Sequence, residues 1–119
     1  RYVLLEHRKP GDDHFDFMLE HRGALATWRL PARPVPGAEL PATRIADHRT
    51  AYLDHEGPVS GDRGEVVRVD RGTFVVEQWT EDRVAIRLIG GQSPGPIQLV
   101  RDVAPDSIRS AETPEAVPW

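Results

Sequence analysis

The sequence predicts a mostly β protein, a small closed antiparallel β-barrel of about eight strands with long surface loops and little helix. Three observations lead to this fold class. Short runs alternate between apolar and polar side chains, as strands with one buried face do. Glycine and proline turn signals separate the runs, and no segment carries the longer period of an amphipathic helix. The 119 residues suffice for one domain with one modest core.

The predicted strands follow one another between turns. In chain order they span residues 2–7, 14–21, 25–30, 43–47, 65–70, 73–79, 83–88 and 97–101. Turn residues separate several of them, at 9–12, 22–23 and 90–91. Asp70-Arg71-Gly72 lies between two valine-containing runs, which predicts a tight hairpin there. Short strands in this number are typical of a small barrel or sandwich.

Two stretches break the strand pattern. Residues 31–41 contain four prolines and one glycine, which predicts an extended surface loop. Residues 104–119 contain three prolines and mixed polar side chains, which predicts a C-terminal tail with one helical turn near residues 106–109. The expected organisation is one barrel domain over residues 1–103, followed by the tail.

The composition excludes several function classes. The formal net charge of −4 argues against a broadly basic surface that grips nucleic acid, although it permits a local cationic cleft. The absence of cysteine excludes disulfides, thiolate metal sites and cysteine nucleophiles. No apolar run approaches the length of a membrane span. We therefore expect a cytoplasmic protein that makes no contact with a membrane.

A candidate metal site lies on the predicted strand at residues 14–21. Side chains alternate between the two faces of a strand, so His14 and Asp16 share the face opposite an apolar row of Phe15, Phe17 and Leu19. His7 ends the preceding strand and is a third candidate ligand. Two histidines and one carboxylate bind a divalent metal and leave positions open for water or substrate. The alternative, a solvated strand face without a metal, remains open at this point.

A second candidate group precedes the turn at Gly57-Pro58. His48 and Tyr52 are four residues apart, with acidic neighbours, and offer a general acid and a hydrogen-bond donor to phosphate. Arg44 is predicted to point away from Ile45, into a cleft where its guanidinium can hold a phosphate. The alternative is an exposed loop without chemistry. Trp28 is predicted to be a core aromatic residue, with base stacking as the other interpretation.

Several motifs occur in the order found in one known family. They are five: His14-Phe15-Asp16-Phe17-Met18-Leu19-Glu20 after a strand ending in His7, Trp28 to Pro31, Asp47 to Tyr52 running into Asp54 to Gly57, Asp70 to Thr73, and the closing pair Arg87 to Gly90 with Leu99 to Arg101. Over most of residues 2–101 the chain resembles the 3′-phosphoesterase domain of bacterial and archaeal DNA ligase D. One such motif would be weak, whereas five in register are specific.

The resemblance implies a compact β-barrel with a manganese-dependent site in a crescent-like cleft. Its reaction trims 3′ ends during end joining, removing a terminal ribonucleoside and then the remaining 3′-phosphate. By this resemblance, His7, His14 and Asp16 are the metal ligands. The implied partners are 3′ ends of DNA or of RNA–DNA primers, together with a separate ligase or polymerase of end joining. A monomer is expected.

The resemblance also implies catalytic roles outside the metal ligands. His48 would contact the scissile phosphate as an acid or a transition-state stabiliser, and Tyr52 would donate a hydrogen bond to a phosphate oxygen. On physical grounds, Arg44 would offset the negative charge that develops on the phosphate.

Three positions depart from the family pattern. Met18 stands where an arginine that binds phosphate is usual, Ala32 replaces a usual lysine, and Ala46 occupies a normally acidic position. Two alternatives to the phosphoesterase therefore stay open. The first is a module that binds nucleic-acid ends without turnover, and the second is a metallohydrolase of a small phosphorylated substrate.

Overall fold

The computed structural model describes residues 1–54, 56–58 and 64–102, so the predicted tail at 104–119 lies outside the described residues. The elements in chain order are β1 (Tyr2–Arg8), β2 (His14–His21), β3 (Ala24–Leu30), β4 (Glu39–His48), a 3-10 helix (Thr50–Leu53), β5 (Gly57–Pro58), β6 (Glu65–Trp79), β7 (Arg83–Ile89) and β8 (Gly95–Arg101). Within these ranges, no helix has the length and apolar character required to cross a bilayer.

Seven of the strands form a closed ring. The neighbours run β1, β2, β3, β4, β8, β7 and β6, and pairing of β1 with β6 closes the circle. The short β5 adds to β6 outside the ring. This confirms the predicted small, closed, mostly β fold. The expectation of a fully antiparallel sheet was wrong at one place, because β4 and β8 run parallel over four residue pairs.

Strands β4 and β6 each pair with two different strands of the ring, one along each part of their length. Residues 65–72 of β6 pair with β1, and residues 73–79 pair with β7. The predicted hairpin at Asp70-Arg71-Gly72 was therefore wrong, because β6 continues through it. A Cβ atom added to Gly72 would lie 2.7 Å from the carbonyl oxygen of Ile89 and 2.9 Å from the Tyr2 ring. Position 72 requires glycine because Ile89 and Tyr2 approach the backbone too closely for a side chain. The glycine does not mark a turn.

The predicted loop at 31–41 is also too long, because β4 begins at Glu39. Pro41 pairs with Val100 of β8, whereas the pairing of β4 with β3 begins only at Thr43. Pro41 therefore lies where one edge of its strand is unpaired. A proline, which has no N–H to donate, is tolerated in a strand at such a position.

The first three strands bury side chains on both of their faces. The inner face contributes to the large core inside the ring, whose fully buried side chains include Tyr2, Phe17, Leu19, Leu30, Ile86, Ile97 and Leu99. The outer face carries a smaller apolar cluster, which we call the outer cluster: Val3, Leu5, Met18, Leu25, Tyr52, Leu53 and Val66. Tyr52 and Leu53 of the 3-10 helix pack over this face, and Val66 at the start of β6 extends it, so polar groups beside the outer cluster are shielded from water.

Candidate metal centre

The pairing of β1 with β2 brings the predicted ligands together. His7 lies directly opposite His14, and Asp16 is two residues further along β2 on the same face. One nitrogen from each histidine and one oxygen of Asp16 lie within 4.8 Å of one another. The three side chains are only 3%, 6% and 0% exposed, respectively. A buried group of two imidazoles and one carboxylate is a donor set typical of a divalent metal.

The separations between these atoms fit a shared cation. His7 Nδ1 lies 3.5 Å from Asp16 Oδ2, and His14 Nε2 lies 3.5 Å from Asp16 Oδ1. Two ligands each about 2.1 Å from one ion in tetrahedral geometry are roughly 3.4 Å apart. His14 Nε2 and both Asp16 oxygens make no hydrogen bond to any residue that the structure describes. Buried acceptors of this kind are what a cation satisfies.

A backbone contact fixes the tautomer of His14. Its Nδ1 lies 3.0 Å from the carbonyl oxygen of Asp12. A carbonyl can only accept, so Nδ1 carries the proton and Nε2 keeps its lone pair for a ligand. Ligating histidines commonly make this second hydrogen bond, which also fixes the orientation of the ring.

The electrostatic environment keeps Asp16 ionised. Complete burial alone would raise the pKa of its carboxyl group. The nearby imidazoles of His14 and His7 outweigh that effect and lower the pKa below its ordinary value. Asp16 is therefore a carboxylate at neutral pH, the form that binds a cation.

His48 and Tyr52 lie at the end of β4 and in the 3-10 helix, on the same outer side. Their rings meet edge to face with centroids 5.4 Å apart, and both side chains are buried. His48 Nδ1 donates to the carbonyl oxygen of Ala46 at 3.0 Å. Burial lowers the pKa of His48, whereas the carboxylate of Asp16 acts in the opposite direction. His48 lies opposite Leu25 of the outer cluster in the pairing of β3 with β4, so it is on the same side of the sheet as the His7–His14–Asp16 cluster.

Arg44 does not lie near His48, Tyr52 or the His7–His14–Asp16 cluster. Its side chain points away from Ile45 as predicted, but it makes an ion pair of 2.9 Å with Asp47 and lies over the Trp28 ring at 4.8 Å. Trp28 belongs to the core inside the ring, as expected. Arg44 therefore lies on the opposite face of the sheet from the His7–His14–Asp16 cluster.

Sequence reasoning missed Arg29, which lies directly opposite Asp16 in the pairing of β2 with β3. Directly opposed residues in antiparallel strands project to the same face. The signal was available, because a two-residue turn at Arg22-Gly23 fixes this register. Both turn residues have the positive φ that such tight hairpins require, 54° at Arg22 and 81° at Gly23.

The closed β ring and the buried two-histidine, one-carboxylate cluster define a small β domain with a candidate metal centre on its outer face. The chain belongs to the family of DNA ligase D 3′-phosphoesterase domains, whose model matches residues 5–101. The resemblance inferred from the motifs is therefore confirmed.

Known relatives are much longer proteins. The chain is 32% identical over 111 residues to the multifunctional non-homologous end joining protein LigD of Mycobacterium bovis, with 84% of this chain and 14% of the relative covered. The corresponding DNA repair protein of Mycobacterium tuberculosis gives the same values. LigD of Pseudomonas aeruginosa is 35% identical over 66 residues, which cover 51% of this chain and 8% of that protein. The chain thus spans about one seventh of the mycobacterial relatives.

Proposed function

We propose that this chain is a metal-dependent phosphoesterase that processes 3′ ends in DNA end joining, with manganese as its metal. Its reactions are removal of a 3′-terminal ribonucleoside and of a 3′-phosphate. The observation that carries this proposal is the buried His7–His14–Asp16 cluster in a chain of the 3′-phosphoesterase family. The substrates are 3′ ends of DNA or RNA–DNA primers, and a ligase and a polymerase of end joining are the proposed partners.

Each ligand residue has a defined part in this proposal. Asp16 supplies the negative charge, while His7 and His14 supply neutral nitrogens. A divalent ion held by these three residues would supply Lewis-acid chemistry toward a phosphoryl oxygen and a bound water. The outer cluster beside the ligands keeps competing water away, which strengthens every charge interaction at the site.

His48 and Tyr52 are proposed to act on the phosphate itself. Because His48 Nδ1 donates to Ala46, Nε2 is the atom that exchanges a proton with the leaving oxygen or hydrogen-bonds the transition state. The Tyr52 hydroxyl donates to a phosphoryl oxygen, and the edge-to-face contact with His48 orients both rings. Arg44 is not part of this proposed set, because it lies on the other face.

The test uses 5′-labelled primer–templates that end in a 3′-phosphate or in a single 3′-ribonucleotide. With Mn²⁺ the protein should convert both ends to a 3′-hydroxyl. His14→Ala and His48→Ala should each lower kcat by at least about 100-fold, the usual range for losing an acid–base group or the ion that activates water. Arg87→Ala is the matched control, because Arg87 is exposed on β7 and pairs with Glu77. An unmodified protein that leaves both ends intact in every divalent metal would refute the proposal.

A second candidate function is end binding without turnover. Met18 lies on the cluster face, but it is fully buried in the outer cluster and offers no charge to a phosphate. This candidate predicts tighter binding of primers with a 3′-phosphate than with a 3′-hydroxyl, and no product in any metal. Fluorescence anisotropy together with the end-conversion assay separates the two functions.

A further inference from the structure

We infer that Arg29 forms a phosphate-binding subsite beside the His7–His14–Asp16 cluster, an inference that rests on the proposed phosphoesterase function. The ligand class is a phosphoryl group, either a phosphomonoester or the phosphodiester that precedes a terminal ribonucleoside. The guanidinium of Arg29 would hold the non-bridging oxygens while the cluster holds the cation.

The register of two strand pairs positions Arg29. It lies directly opposite Asp16 on β2 and opposite Thr43 on β4, so its backbone is held on both sides. Opposed residues of this kind have Cβ atoms about 5 Å apart on the same face of the sheet. An arginine side chain starting there reaches the space beside the Asp16 carboxylate without any movement of the backbone.

The polar groups of Arg29 are poorly satisfied by the protein. The side chain is half-buried, and its buried Nε has no hydrogen-bond partner among the described residues. Among the described residues, Asp16 forms its charged contacts with His7 and His14, and none with Arg29. Leaving a charged donor buried and unsatisfied is costly, whereas a phosphate accepts two parallel hydrogen bonds from one guanidinium.

The charges of the site also fit a phosphate. A divalent cation and Arg29, set against the single carboxylate of Asp16, leave two net positive charges at the cluster. A phosphate monoester carries a charge of about −1.5 to −2 at neutral pH and neutralises them. Met18, on the same face, cannot supply this charge because its thioether is neutral, and it is packed in the outer cluster.

The test compares Arg29→Ala and Arg29→Lys with the unmodified protein and with Arg87→Ala. With a 3′-phosphate primer and Mn²⁺, Arg29→Ala should lower kcat/KM by about 100-fold, the usual effect of removing one donor to a transition-state oxyanion. Arg29→Lys should recover part of the loss, because it keeps the charge and lacks the fork of donors. Added guanidinium ion should rescue the alanine variant and leave the lysine variant unaffected. The Mn²⁺ affinity should not fall in Arg29→Ala or Arg29→Lys, since Arg29 is not a ligand and its positive charge opposes binding of a cation.

A second measurement keeps the two proposals distinguishable. Inorganic phosphate should bind the Mn²⁺-loaded protein, and Arg29→Ala should weaken that binding about tenfold or more. If the unmodified protein turns over and Arg29→Ala matches it within twofold, the subsite is refuted while the phosphoesterase stands. If nothing turns over but phosphate binding still depends on Arg29, the activity is refuted and the subsite stands. Equal phosphate binding by both proteins overturns the subsite in either case.

Discussion

His14 presents its Nε2 to Asp16 at 3.5 Å because its Nδ1 is bonded to the backbone carbonyl of Asp12. The chain itself, through the loop before β2, therefore sets the orientation of the ring. Asp16 is held between Leu5 of β1 and Arg29 of β3 by the pairing of its own strand. The candidate ligands are thus preorganised by secondary structure, which lowers the entropic cost of binding an ion.

Replacing Asp16 by asparagine should abolish tight metal binding. The change preserves the shape of the side chain and removes the only negative charge among the three candidate ligands. Mn²⁺ affinity should fall by at least about 100-fold, because losing even a group that hydrogen-bonds to a ligand residue costs 10- to 100-fold. Isothermal titration calorimetry measures the affinity. Asp82→Asn is the control, since Asp82 is exposed and pairs with Arg101. Equal affinities of the two variants would exclude Asp16 as a ligand.

Metal removal should destabilise the fold. An ion at 100 times its Kd that binds only the native state adds about 2.7 kcal/mol to the free energy of unfolding. Urea titrations with Mn²⁺ and with EDTA should differ by this amount. Asp16→Asn should show no difference between the two conditions. A metal-dependent gain that survives in Asp16→Asn would place the ion elsewhere.

The burial of His48 should make the metal-free protein less stable in acid. Its pKa is lowered in the folded state, so the unfolded chain takes up the proton first as the pH falls below about 6.5. The free energy of unfolding should decline from there until the pH passes below the folded pKa, and it should be independent of His48 above neutral pH. Urea titrations between pH 8 and 5 measure it. His48→Gln should show a shallower decline, and parallel curves would contradict the prediction.

Gly91 should be far less replaceable than its neighbour Gly90. Both have positive φ, 73° and 78°, so an alanine at either strains the backbone by about 1–2 kcal/mol. Only at Gly91 would a Cβ also collide with the Tyr2 hydroxyl and the Asp70 carboxylate, which are hydrogen-bonded at 3.0 Å. Gly91→Ala should therefore cost about 2 kcal/mol more than Gly90→Ala in urea denaturation. Equal losses would show that backbone strain alone determines the effect.

Installing an arginine at Met18 should damage the protein rather than improve it. Met18 is completely buried between Val3 and Thr27 on neighbouring strands. A guanidinium placed there without a partner should lower the free energy of unfolding by about 3 kcal/mol or more. Val75→Arg, at a position that is 50% exposed, should change it by less than about 0.5 kcal/mol. A stable Met18→Arg protein would show that the outer cluster opens readily.

Features that depend on local periodicity, such as the strands and the two faces of β2, could be predicted from the sequence. Alternation along β2 correctly separated the apolar face from the face that carries His14 and Asp16, because a strand has only two faces. The turn at Arg22-Gly23 also fixes the register that positions Arg29, so this residue too is predictable from local sequence.

Long-range features could not be inferred in the same way. Gly72 looked like a turn residue because glycine is common in turns, but the crowding it relieves comes from Tyr2 and Ile89, distant in sequence. Arg44 was assigned to the candidate site because it points away from Ile45. The pairing of β3 with β4 sets Arg44 opposite Trp28, so the guanidinium lies over the Trp28 ring on the other face of the sheet.

The pairing of His7 with His14 links correct folding to chemistry. If β1 slipped by one residue against β2, His7 would turn into the core of the ring, and Val3 and Leu5 would leave the outer cluster. Such a chain would lose its apolar packing and its ligand set in the same step. A misregistered molecule could therefore not persist as a stable protein with an altered activity, and any selection that preserves the core also protects the centre.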